Sequence, residues 1–280
     1  MNRSPMWHLA CAALALVAIG PIGSARAGGA AQPSPRIVGG GKANAAGWQF
    51  TVALEQRRRL ICTGSLIAPN RVLTAAHCAK GGKRKRLSVF AGSPSISPKR
   101  RPPRIKVRAV TIDPTYNGRK VERDFAVLTL ARAPGAEPIA LPTRAEAMAA
   151  TRPGRIVRTG GFGTRSAWGF NVARRLKATK ERVFPTRTCD RFFGKERGFQ
   201  GQTMICALGK RILRLHSRLP YHSTSCSGDS GGPIVADTPG GPRLVGLVSA
   251  GPFPCGLFGP SIYARVSSRL GFIRRAAGLP

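Results

Sequence analysis

A serine boxed in by Gly228, Asp229, Gly231 and Gly232 stands in the stretch STSCSGDSGGP, residues 223–233. A free serine hydroxyl is a weak nucleophile. It needs a base within hydrogen-bond reach, a group that orients the base, and donors for the oxyanion that its attack creates. Ser230 is the candidate nucleophile. Three histidines follow the N-terminal apolar run: His77, His216 and His222. His77 ends the β-prone run VLTAAHCA beside Cys78, where a disulfide would pin the backbone, a sound mount for a base. His216 and His222 lie in the basic, loop-like GKRILRLHSRLPYHST, where solvated side chains are the better reading than a metal pair. Asp124, in ERDFAVLTL, stands just before an apolar strand. An Asp there is either a turn residue satisfied at the start of the strand or a buried partner for an imidazole.

The elements that would hold these groups are short. Apolar, β-prone runs recur between Gly and Pro breaks: FTVALE, CTGSLIA, RVLTAA, LSVFAG, IKVRAVTI, FAVLTL, RIVRTG, PIVA, LVGLVSA and SIYARV. Their frequency predicts an all-β protein of barrels or a sandwich rather than βαβ units. One helix is expected at the end, where Val266, Leu270, Ile273 and Ala277 share a face. Residues 1–27 read as an export signal, with Arg3, an apolar run from Leu9 to Gly20, and Ala25-Arg26-Ala27. That run is too short for a retained membrane span. Residues 28–36 read as a prosegment, 37–141 and 155–280 as two halves, and 142–154 as a linker.

Cys11 leaves with the signal. Cys62, Cys78, Cys189, Cys206, Cys226 and Cys255 remain, an even set that favours disulfides in an oxidising compartment, secreted or periplasmic. Spacing alone leaves every pairing open, and without a CxxC pair it argues against zinc.

The charge is extreme, 46 Lys and Arg against 11 Asp and Glu, net +35. Such a surface attracts polyanions non-specifically. The basic clusters, GKRKR at 82–86, PKRR at 98–101, RRLK at 174–177 and GKRILR at 209–214, are scattered. They form no aromatic-interleaved stripe and no helix-turn-helix, so no specific nucleic-acid partner is expected.

In order along the chain, RIVGG at 36–40, TAAHC at 74–78, DFAVLTL at 124–130, GFGT at 161–164, CSGDSGGP at 226–233 and GLVSAG at 246–251 resemble the chymotrypsin-like (trypsin-like) serine peptidases. The resemblance implies two antiparallel six-stranded β-barrels with the active site in the cleft between them and a C-terminal helix. It implies a catalytic triad of Ser230, His77 and Asp124, an oxyanion hole from the Gly228 and Ser230 N–H groups, and Ser249 in support of Asp124. The backbone at Ser249 and Gly251 would pair with substrate as an added strand. Cleavage after Arg36 by a separate activating peptidase would free the Ile37 amine to pair with Asp229. The implied disulfides are Cys62–Cys78, Cys189–Cys206 and Cys226–Cys255. Substrates would be peptides or proteins, the protein a monomer, with no cofactor and no metal.

Departures from the family pattern bear on specificity. The pocket-floor position six before the nucleophile holds Thr224, where trypsins carry Asp, and Ser225 and Ser261 bring no acid either. A neutral pocket cannot compensate the desolvation of Arg or Lys, so an uncharged P1 residue, aromatic or aliphatic, is expected. Gly251 leaves the mouth open, and Ala250 replaces a Trp platform. The basic segment after Cys206 is long. The loop from Lys80 to Arg104 holds no acid, so the calcium site of some relatives is not expected. The rival reading, a catalytically idle cationic relative that binds polyanions, rests on the charge.

Overall fold

The computed structural model describes residues 37–38, 40–43, 46–80, 86–164, 167–168, 173–212 and 220–280. The expected export signal, the expected prosegment with Arg36, and His216 lie outside the described residues. A short strand β1 (Gly41–Lys42) precedes β2 (Thr51–Gln56), β3 (Arg59–Ala68), β4 (Arg71–Thr74), helix α1 (Ala76–Ala79), β5 (Leu87–Phe90), β6 (Ile105–Ile112) and β7 (Ala126–Leu130). Strands β2-β3-β4-β7-β6-β5 close into an antiparallel barrel. Alternation drives the closure: on β6, Ile105 and Val107 point in while Lys106 and Arg108 face solvent. Val52, Leu54, Leu66, Val72, Leu73, Val89 and Leu128 fill the interior.

The chain then passes through α2 (Arg144–Ala150), inside the segment that composition marks as a linker. Thr143 and Glu146 form a reciprocal capping box, the Glu146 N–H donating to Thr143 Oγ1 at 3.1 Å and the Thr143 N–H to Glu146 Oε2 at 2.7 Å.

Next come β8 (Ile156–Gly161), β9 (Lys177–Val183), α3 (Thr186–Arg197), β10 (Met204–Gly209), the hairpin strands β11 (Arg211–Ile212) and β12 (Tyr221–His222), β13 (Pro233–Thr238), β14 (Gly241–Ala250), β15 (Ser261–Arg265) and α4 (Leu270–Ala277). Strands β9-β10-β15-β14-β13-β8 follow one another, and β8 pairs with β9 to close a second antiparallel barrel, with β1 added along β9. Val157, Ile205, Ile234, Val245 and Tyr263 occupy its core. The expected two six-stranded barrels and terminal helix are therefore present. Helix α4 buries Ile273 and Ala277, and Val266 just before it. Arg269, at the start of α4, is forked onto the buried Asp113 of the first barrel at 2.5 and 2.8 Å.

The cysteines pair as Cys62–Cys78, Cys189–Cys206 and Cys226–Cys255. Among the described residues no helix is long and apolar enough to cross a membrane.

Candidate active site

His77 lies in α1, the single helical turn that follows β4, and Asp124 lies just ahead of β7, the neighbour of β4 in the barrel. Phe125 N–H donates to the Arg123 carbonyl at 2.8 Å, so Asp124 sits in a tight three-residue turn. Arg123 itself holds φ 51°, a left-handed conformation that costs about 1 kcal/mol for a residue with a Cβ. That turn aims a fully buried carboxylate at α1. Asp124 Oδ1 accepts the His77 backbone N–H at 2.9 Å, satisfying one of the donors that the start of a helix leaves unpaired. Oδ2 lies 2.7 Å from His77 Nδ1. A carboxylate only accepts, so the neutral imidazole tautomer that suits this contact carries its proton on Nδ1 and its lone pair on Nε2.

The second barrel adds to the same carboxylate. Between β14 and β15 the register slips between Val248 and Ala250, a bulge at Ser249. The extra residue turns Ser249 out of the ladder. Its Oγ donates to Asp124 Oδ2 at 2.6 Å.

Ser230 stands in the loop before β13, held from both sides. Thr63 N–H of β3 donates to the Ser230 carbonyl at 2.8 Å, and Thr63 Oγ1 donates to the Gly228 carbonyl at 2.9 Å. The Cys78 sulfur, next to His77, lies 3.6 Å from the Ser230 carbonyl. Among the described residues the N–H groups of Gly228 and Ser230 have no acceptor. Two such donors in one loop suit a developing oxyanion. Gly228 holds φ 90°, and at Gly231, φ 75°, a Cβ would collide with Thr74 Oγ1 and the Thr63 carbonyl. Nothing in the sequence points to Thr63, whose contacts span 165 residues.

Asp229 is fully buried and accepts N–H groups of Gly163 at 2.8 Å and Cys226 at 2.9 Å. Burial pushes its carboxyl up to about 7 against those two donors. Ile37 is also fully buried, with φ 55°, and the next residue, Val38, accepts the Thr224 N–H at 3.1 Å.

A cavity of about 190 Å³ opens beside Ser230, lined by Ser225, Val248, Ser249, Gly251, Phe253 and Ser261 among others. Thr224 and Ser261 share a hydrogen bond at 2.8 Å and so spend their polarity on each other. At Gly251 a Cβ would approach Ser261 Oγ to 3.1 Å, a close contact that glycine avoids. Apolar surface absent at Ala250 recurs nearby in exposed Phe253, edge-on to Trp168 at 6.0 Å, and in exposed Phe192 and Phe258.

One acid near this pocket went unrecognised in the sequence. Glu181 of β9 is 1% exposed, and its Oε2 accepts the Tyr263 hydroxyl at 2.5 Å. Its strand, KATKERV, reads as solvated, so no signal there could have found it. His222, by contrast, places Nδ1 3.1 Å from the Gly209 carbonyl. Cys62 and Cys78 flank His77, but both are consumed in one disulfide and offer no thiolate to a metal.

The sequence model of the Trypsin family matches residues 37–273. Kallikrein-8 of Homo sapiens is 29% identical over 269 residues, a span that covers 92% of each chain. With both barrels closed and the family match running through them, the chain belongs to the trypsin family of serine endopeptidases.

Proposed function

We propose that the chain is a secreted endopeptidase that cuts peptide bonds through an acyl-enzyme on Ser230, with His77 as the base and Asp124 as its anchor. The observation that carries the reading is the convergence of His77 Nδ1 and Ser249 Oγ on one buried oxygen of Asp124, at 2.7 and 2.6 Å. That arrangement locks the tautomer whose Nε2 can accept a proton. Ser230 Oγ attacks the scissile carbonyl and passes its proton to His77. The C–N bond breaks as His77 gives that proton to the leaving amine, and water repeats the sequence to release the acid. Gly228 and Ser230 N–H groups receive the oxyanion in both halves. The backbone of Ser249 and Gly251 carries the substrate as an added strand.

Synthesis is as a zymogen, exported by residues 1–27 and cut after Arg36 by a separate peptidase. Ile37 supports this: φ 55° is unfavourable for a β-branched residue, and that torsion ceases to exist once the bond before Ile37 is cut. The freed amine supplies a cation for Asp229, whose present partners are uncharged amides. At neutral pH the pocket takes uncharged P1 side chains, because Thr224, Ser225 and Ser261 bring no charge to its floor. The enzyme works as a monomer, and the strong positive charge of the chain, +35 before processing, adds loose polyanion binding to the activity rather than replacing it. The idle-relative reading fares worse, since the sequence keeps Ser230, His77 and Asp124.

A fluorophosphonate probe tests the assignment. The form beginning at Ile37 is expected to be labelled at Ser230, with labelling lost in Ser230→Ala and after denaturation. An unlabelled, folded, correctly cut protein would remove it.

A further inference from the structure

The pocket floor looks neutral from inside, yet a carboxyl stands directly behind it. Glu181 faces inward from β9, between Val157 of β8 and Gly209 of β10. A chain of contacts leads from it to the pocket wall. Oε2 accepts the Tyr263 hydroxyl at 2.5 Å, that hydroxyl lies 3.3 Å from Ser225 Oγ, and Ser225 lines the cavity. The side chain of Thr224 and the Ser225 N–H also face the carboxyl and favour its charged form. Neither completes a hydrogen bond to Oε1, which has no partner among the described residues. An apolar side chain would fill this site without leaving a polar atom orphaned, and a buried unpaired oxygen is costly.

Resting on the reading of this cavity as the P1 pocket, we propose that Glu181 sets P1 selectivity: protonated, it leaves a pocket for uncharged side chains, and ionised, it draws Lys or Arg to the part of the wall formed by Ser225 and Ser261. A cation against that wall meets the carboxylate through the Tyr263 and Ser225 hydroxyls in series, inside the protein, where charge is screened less than in water. Burial pushes Glu181 up to about 8, so the change of preference falls in the mildly alkaline range. A basic P1 residue entering at pH 7 ionises Glu181 and expels one proton to solvent.

The other charged or titratable groups around it are few. Asp229 raises the Glu181 pKa further, and Tyr263, itself pushed up by burial beside this carboxyl, stays neutral in the window. Lys177 lies four residues back on the same face of β9, and His222 reaches the Gly209 carbonyl of β10. Lys180 and Arg182 point to the opposite, exposed face, and Val157 and Gly209 bring no charge.

The test compares kcat/KM for matched peptides with Arg, Lys, Leu or Phe at P1 between pH 6 and 9.5, using the enzyme cut at Ile37. The ratio cancels the ionisation of His77, which serves every substrate. The Arg-to-Leu ratio is expected to rise about tenfold or more through pH 8, and to stay flat in Glu181→Gln. Should that variant not fold, benzamidine binding to the native enzyme decides by itself. Calorimetry in two buffers is expected to register close to one proton released at pH 7. A flat ratio without proton release, in enzyme that a fluorophosphonate labels and that cleaves Leu peptides, overturns the role of Glu181 and leaves the peptidase assignment standing. A rise that persists in Glu181→Gln also overturns it. Enzyme that neither reacts with the probe nor cleaves any peptide sinks the peptidase reading, and this inference with it.

Discussion

Thr63 holds Ser230 from behind: its N–H donates to the Ser230 carbonyl at 2.8 Å while its hydroxyl fixes the Gly228 carbonyl at 2.9 Å. One residue of the first barrel thus holds the carbonyls of the same two residues whose N–H groups are unpaired, and steadies those donors through their shared Cα atoms. Thr63→Val keeps the shape and removes the hydroxyl. We expect kcat to fall about tenfold with KM nearly unchanged, because an oxyanion donor drifts while ground-state contacts stay. A change confined to KM would assign Thr63 to substrate binding instead.

Ser230→Ala and His77→Ala are each expected to lower peptide hydrolysis by about a thousandfold or more, with the melting temperature retained, since both act in one proton-transfer unit. Asp124→Asn approaches that loss by favouring the wrong tautomer. Steady-state kinetics beside thermal melts checks all three, and near-normal turnover in any of them contradicts the triad.

The buried acids give stability a pH dependence with a definite sign. Glu181 is raised from 4.5 to about 8, so stability present below its unfolded pKa is lost as pH climbs through the folded value. Asp229, raised from 3.8 to about 7, acts in the same direction while Arg36 remains attached. Melting temperature of the proenzyme should therefore decline between about pH 5 and 8. Glu181→Gln should melt higher than the parent at pH 8.5 and no higher at pH 4.5. Equal curves would mean that the carboxyl is not desolvated.

Proenzyme purified with Arg36 intact should release Ile37 very slowly by itself at pH 6.5, where a neutral pocket receives a basic P1 residue poorly. A trypsin-like activator should release it quickly. N-terminal sequencing over time distinguishes the two, and fast, Ser230-dependent self-cleavage at pH 6.5 would show a charged pocket there.

Arg269→Ala leaves the Asp113 carboxylate buried and stripped of its forked partner. Its pKa is held below the usual range, burial opposing and the Arg269 and Thr115 hydrogen bonds prevailing. We expect a loss of roughly 3 kcal/mol in chemical denaturation at pH 7. The difference should shrink below about pH 4, as Asp113 protonates.

The proposed triad residues, His77, Asp124 and Ser230, are legible because each sits inside a dense local pattern, and most strands because their apolar residues alternate. Strand β9 is not. Its inward face carries Lys177 and Glu181, so composition says solvent, and only the flanking ladders of β8 and β10 make it a strand. Helix α2 is written in the Thr143–Glu146 capping box, but the surrounding Pro and Gly hide it. The role of Thr63 is set by a contact between distant segments, which no local window contains.

Asp124 is gripped by His77 from the first barrel and by Ser249 from the second. On the proposed mechanism neither half alone carries a working centre, so a truncated or half-folded chain is silent by construction. For a protein that digests proteins, this is a form of self-inspection: destructive capacity switches on only in molecules that have finished assembling.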